Sequence, residues 1–170
     1  MGFRIRTQLN ICAMKIQKVI LLITLSVVSL FELGCAASGP KYSEYVDQIP
    51  KLNPESSRIF FYRKSSFIGS GVQPDIRLNG RVVGESKPNG FFFVDTEPGN
   101  HLVSAKTAVE KTFSIRLSKG EVGYIRSSIG FGVLIARPNF EAVLESNALN
   151  EMRNLRYTGE VVEPAKTVAP

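Results

Sequence analysis

The sequence predicts a mainly β domain: a small antiparallel β-sandwich or partly open barrel with one C-terminal amphipathic helix. Three observations predict it. Short apolar runs, several of them alternating, recur from residue 58 to residue 136. Turn residues separate these runs about every ten positions, the rhythm of an antiparallel sandwich or barrel. A single stretch with helical spacing follows them. At 44% hydrophobic and 21% charged, the chain sits in the ordinary globular range.

Arg58-Ile59-Phe60-Phe61-Tyr62-Arg63 opens the regular structure, with aromatic residues on both faces as a central strand requires. Asp75-Ile76-Arg77-Leu78 and Arg81-Val82-Val83-Gly84 flank Asn79-Gly80, the strongest short hairpin signal, because a type I′ turn needs positive φ twice. A second Asn-Gly, at Asn89-Gly90, introduces Phe91-Phe92-Phe93-Val94-Asp95. Pro98-Gly99-Asn100 then turns the chain into His101 to Lys106. Thr112 to Leu117 alternates most regularly, with Phe113, Ile115 and Leu117 toward a core. Lys119-Gly120 leads to a strand from Val122 to Ile129, which Phe131 to Ala136 is expected to extend past a bend at Gly130 and Gly132. From Asn139 as cap, Phe140, Val143, Leu144, Ala148, Met152 and Leu155 recur at helical spacing. The domain is expected over 58–158, with a Pro-interrupted linker at 36–57 and a disordered tail at 159–170.

Residues 1–35 read as an export segment. Arg4, Arg6, Lys15 and Lys18 precede an apolar run from Val19 to Phe31, and Met14 is a second candidate start. Thirteen helical residues cover about 20 Å, short of a bilayer core of roughly 30 Å, which suits a signal peptide better than a permanent span. Setting those four cations and Glu32 aside from 21 basic and 15 acidic residues leaves a balance of only +3. The remaining charges are scattered, so no nucleic-acid partner is expected.

The run ends in Leu33-Gly34-Cys35-Ala36. It resembles the lipobox of bacterial lipoproteins, in which the cysteine is acylated; Glu32 departs from the pattern. The resemblance implies lipidation at Cys35, a membrane partner through the lipid, and, since no Asp follows the cysteine, an outer-membrane location facing the periplasm.

The mature chain also resembles a family of bacterial lipoproteins that share a domain of unknown function. The carrying residues are Phe60-Phe61-Tyr62-Arg63, Gln73 through Gly80, Val83-Gly84 through Lys87-Pro88, Gly90-Phe91-Phe92, Val94-Asp95 and Pro98-Gly99-Asn100-His101. Its hairpins look like those of PEGA-type β-sandwich modules. The resemblance implies a sandwich-like fold at the cell envelope and brings no activity with it.

No catalytic, metal or cofactor motif stands out. His101 is the only histidine, and Cys12 and Cys35 both precede the domain, so a transition-metal site is not expected. A Ser-His-Asp set using His101 and Asp95 has no marked serine, and the expected role of His101 is a partly exposed strand-end residue. Asp75, Glu85, Asp95 and Glu97 offer carboxylates for hydrolysis but sit where turns need short polar groups. Phe91 and Phe93 share one strand face and are the candidate partner surface, core being the alternative. The expectation is a non-enzymatic binding or structural module, with an envelope protein or cell-wall component as partner and no cofactor. The alternative is a periplasmic hydrolase with an unmarked active site.

Overall fold

The computed structural model describes residues 37–67, 69–131 and 136–159. The aromatic run becomes strand β1 (Ser57–Arg63), and all seven of its residues are buried. A strand with no exposed face has to lie inside a sheet with both faces covered. Its neighbours are β4 (Gly90–Thr96), antiparallel, and β7 (Val122–Phe131), parallel. Strand β8 (Ala136–Ala142) pairs antiparallel with β7, and the short β9 (Arg156–Tyr157) pairs parallel with β4. The first sheet therefore runs β8-β7-β1-β4-β9.

The second sheet holds β2 (Asp75–Leu78), β3 (Arg81–Glu85), β5 (Gly99–Lys106) and β6 (Glu110–Leu117), in the order β3-β2-β5-β6, all antiparallel. Asn79 (φ 51°) and Gly80 (φ 85°) close the β2–β3 hairpin, as two positive φ values require. The sheets stack face to face without closing into a barrel. Ile59, Phe61, Ile76, Phe92, Val103 and Ile125 fill the space between them. Phe92 lies so close over Gly84 that a Cβ there would stand 2.7 Å from its ring. Phe113 and Ile115 pack partly buried against this core and Leu117 lies within it, on the face the alternation assigns them.

The outer face of the first sheet is covered as well. Phe60, Tyr62, Phe91 and Tyr124 point away from the second sheet and meet Ala148, Met152 and Leu155. Ala148 and Met152 belong to helix α2 (Glu145–Met152). Tyr42, in the short helix α1 (Tyr42–Tyr45), sets its ring edge-on to Phe60 and Phe91 at 6.2 and 5.3 Å between centroids.

Three sequence expectations change. The helix begins at Glu145, not at Asn139, because Asn139 to Ala142 belong to β8. There Pro138 and Phe140 face inward while Asn139 and Glu141 face out, a period of two hidden within the helical spacing. Phe131 and Ala136, expected in one prolonged strand, are register partners in two antiparallel strands, β7 and β8, and residues 132–135 lie outside the described residues. The segment 36–57, expected as a linker, is tied down from Ala37 onward. Tyr157 N–H donates to the Pro40 carbonyl, Tyr42 N–H to Leu155, and Arg58 Nη1 to Pro50. The tyrosines and Ile49 supply apolar surface that a free spacer would leave in water. Residues 1–35, with Cys35, and the tail after Gly159 lie outside the described residues. Among the described residues no helix is long and apolar enough to cross a membrane.

Candidate functional site

Strict alternation along β1 determines which polar groups gather where. Arg58, Phe60 and Tyr62 face the helix layer; Ile59, Phe61 and Arg63 face the second sheet. Two polar centres follow, one on each side of the same strand end.

On the helix side, Tyr62 donates its hydroxyl to Glu151 Oε2 at 2.8 Å, joining β1 to α2. Arg126, on β7, donates to both Glu151 oxygens at 2.7 and 2.9 Å and to Glu141 on β8 at 2.7 Å. Lys64 adds a longer contact to Glu151 at 3.4 Å. Burial alone would raise the Glu151 pKa, but the hydrogen bonds from Tyr62 and Arg126 and the two cations outweigh it, holding the carboxyl below the usual range. The Tyr62 phenol is pushed up, first by burial and then by Glu151. Tyr124 is raised in the same way, by burial and by its bond to Glu145 at 3.0 Å. An ionised carboxylate with saturated acceptors and phenols held protonated make a clamp, not an acid–base pair at neutral pH.

On the inner side, Arg63 is 2% exposed and binds three backbone carbonyls: Val72 at 2.7 Å and Ser86 at 2.8 Å through Nη1, Gly69 at 2.6 Å through Nη2. These bonds staple the 64–74 connection and the β3–β4 connection over one open end of the sandwich. Burial pushes the Arg63 pKa down, though an arginine stays charged. Beside it Ser127 and Ser86 share a hydroxyl bond at 2.9 Å. A shallow groove between the two centres is lined by Arg63, Lys64, Ser66, Arg126 and Ser127. Neither arginine was singled out from the sequence, although a cation ending a fully apolar strand signals a buried donor that needs acceptors.

The sequence-derived candidates fall elsewhere. Phe91 is fully buried and Phe93 half-buried, and both pack in the helix-side layer. Tyr157 sits 5.5 Å from Phe91 and 5.8 Å from Phe93 between ring centroids, and the Arg58 guanidinium covers Phe93 at 4.6 Å. The face is interior because α1, β9 and Arg58 close over it. His101 is 6% exposed rather than partly exposed. Its Nδ1 accepts from the Asn79 amide at 3.0 Å and its Nε2 donates to the Glu97 carbonyl at 2.8 Å. The amide orientation is set by Leu102 N–H, which donates to Asn79 Oδ1 at 3.0 Å. Asp95 forks onto Arg58, with Nη2 at 2.8 Å, so histidine and aspartate are engaged by different partners. Asp75 and Glu85 face each other across the β2–β3 pair but turn to Arg77 and Lys87. Among the described residues no three His, Cys, Asp or Glu side chains are grouped to hold a metal.

Residues 53–138, just over half the chain, match the model of a family described as "Protein of unknown function (DUF2846)". The match runs from the residues before β1 into β8, taking in most of both sheets and leaving out α1, α2 and β9. An uncharacterized protein of Haemophilus influenzae is 29% identical over 132 residues, covering 75% of this chain and 78% of that protein.

Proposed function

The chain belongs to this DUF2846 family of proteins of unknown function, and we propose that it is a lipid-anchored protein of the bacterial envelope whose domain is a non-enzymatic binding or structural module. The observation that carries the proposal is Leu33-Gly34-Cys35, placed directly after a cationic segment and an apolar run too short to span. Two or three acyl chains on Cys35 would tether the domain for its lifetime, since each buried methylene is worth about 0.8 kcal/mol. Ala36 after the cysteine favours the outer membrane, facing the periplasm. The chemistry of the described domain supports a non-catalytic role. Its clustered cations and carboxylates neutralise one another, and no fully buried side-chain nitrogen or oxygen among the described residues lacks a partner. Two small stacked sheets, one of them built from the β2–β3 and β5–β6 hairpins, also suit the likeness to PEGA-type modules.

Mass spectrometry of the mature amino terminus tests the anchor. The expected product is a chain starting at Cys35 and carrying diacylglycerol, with or without an amide-linked acyl chain. An unmodified Cys35, or cleavage at another bond, would overturn the reading.

A further inference from the structure

One end of the sandwich gathers three features that bear on how the domain is placed. The first is where the chain arrives. Ala37 is 6% exposed and lies against Gly90, whose added Cβ would stand 3.4 Å from that of Ala37. Gly90 is the register partner of Arg63, so the chain reaches the domain at the Arg63 end of β1. Only Ala36 lies between Cys35 and Ala37, and two peptide steps reach at most about 7.6 Å.

The second feature is Phe67, which is 98% exposed. It stands in the 64–74 connection, two residues before Gly69. Gly69 is held at φ 75° with its carbonyl on Arg63, and the side chain of Ile129 leaves no room for a Cβ there. The loop base is thus fixed while the ring projects into solvent.

The third feature is charge. Among the described residues, the connections at this end include 64–67 and 69–74, and 86–89, held by Arg63, and 107–109, where Thr107 Oγ1 donates to the Ala136 carbonyl. They contain Lys64 and Lys87 and no carboxylate. At the opposite end, 79–80, 97–98 and 118–121 contain Glu97 and Glu121 beside Lys119. Asp75, Glu85, Glu110, Glu141 and Glu151 border the first end from the strands and α2, where they meet Arg77, Lys87, Lys106, Arg126 and Lys64, and the exposed parts of Lys64 and Lys87 remain open to solvent.

From these we propose that the Arg63 end of the domain rests directly on the lipid bilayer, with Phe67 inserted at the headgroup level and Lys64 and Lys87 facing anionic headgroups. The proposal rests on the reading of Cys35 as the lipid-bearing residue. Acyl chains on that residue fix its backbone at the membrane interface, and a reach of about 7.6 Å leaves the buried Ala37 no distance to stand off. An exposed aromatic ring beside the attachment point is suited to the interface, where amphipathic contact with headgroups favours aromatic residues. Nearby lysines gain from an anionic leaflet. The opposite end, with the Asn79-Gly80 turn, then points away from this membrane and is the part free to meet a partner.

The chain contains no tryptophan, so a single one reports from a chosen place. The full-length chain carrying Phe67→Trp, or Val82→Trp as a far-end reporter at a half-exposed position, is extracted after export and reconstituted into vesicles of phosphatidylethanolamine and phosphatidylglycerol. The acyl mass on Cys35 is verified for each sample. The expected result is a blue-shifted tryptophan at 67, quenched by brominated acyl chains and severalfold less open to iodide than the one at 82. Full iodide access at 67 in verified acylated protein would overturn the orientation and leave the anchor standing. Shielding at both positions would overturn the end-on pose. An absent acyl mass would overturn the anchor, and the orientation with it.

Discussion

The two faces of the five-stranded sheet are packed by different means. Between the sheets the contact is apolar: Ile59, Phe61, Ile76, Val103 and Ile125 interlock, and Phe61 stacks on Phe92 at 5.1 Å. On the outer face the layer is aromatic and tied by polar bonds, with Phe60 stacked on Tyr124 at 5.3 Å and two tyrosines bound to carboxylates of α2. The inner face belongs to the region that the family model matches, whereas α1, α2 and β9, which cover the outer face, lie outside it. The inner face is specified by alternation within strands. The outer face depends on chain segments from both ends of the domain arriving in the right place, and polar bonds fix where they sit.

The largest expected effects test that contrast directly. Phe61→Ala should destabilise the domain by about 3–5 kcal/mol and Met152→Ala, fully buried in the outer layer, by about 2–5 kcal/mol. Urea unfolding followed by circular dichroism measures both. One transition shifted in each variant is expected; an earlier, separate transition in Met152→Ala alone would make the outer layer a unit that opens independently.

A middle-sized effect concerns the polar ties. Tyr62→Phe should cost about 1 kcal/mol at neutral pH. Its larger signature lies in the pH dependence. Tyr62 and Tyr124 have raised pKa values in the fold, so their contribution is complete below about 10, the unfolded value, and is lost as pH rises toward the folded values. Glu151 has a lowered pKa, so its contribution is present above about 4.3 and is lost as pH falls through the folded value. Denaturation midpoints across pH should therefore fall at both extremes. Tyr62→Phe should flatten the alkaline fall and weaken the acid one, and an unchanged profile would show that the phenol does not hold the helix.

The smallest effect expected is at the Glu55–Lys119 pair, whose side chains are 71% and 64% exposed. Lys119→Ala should change stability by no more than about 0.5 kcal/mol. A larger loss in thermal unfolding would mean that the far-end turn is stiffened by that ion pair as well as by Gly120.

Much of the inner architecture was legible in the residues. The aromatic run at 58–63 occupies the centre of its sheet, both Asn-Gly pairs place asparagine at positive φ, and Phe91 and Phe92 part to opposite faces. The site was less legible. Phe91 and Phe93 were readable as one face, but whether that face met water depended on Tyr42 and Tyr157, far away along the chain. His101 was readable as a strand-end residue, whereas its bond to Asn79 spans 22 positions. The C-terminal helix was expected too long because Phe140 satisfies a period of two in β8 as well as the helical spacing.

Local rules acted wherever the determining partner was a chain neighbour: strand alternation and the φ values of tight turns. Tertiary structure alone decided the parallel pairing of β1 with β7 and of β4 with β9, and the meeting of Tyr62, Arg126, Glu141 and Glu151 from four elements. It also decided the bond from Arg63 to the Ser86 carbonyl. The physical reason is that a hydrogen bond or an ion pair needs a geometry of a few ångströms, and residues tens of positions apart acquire that geometry only after both layers have packed.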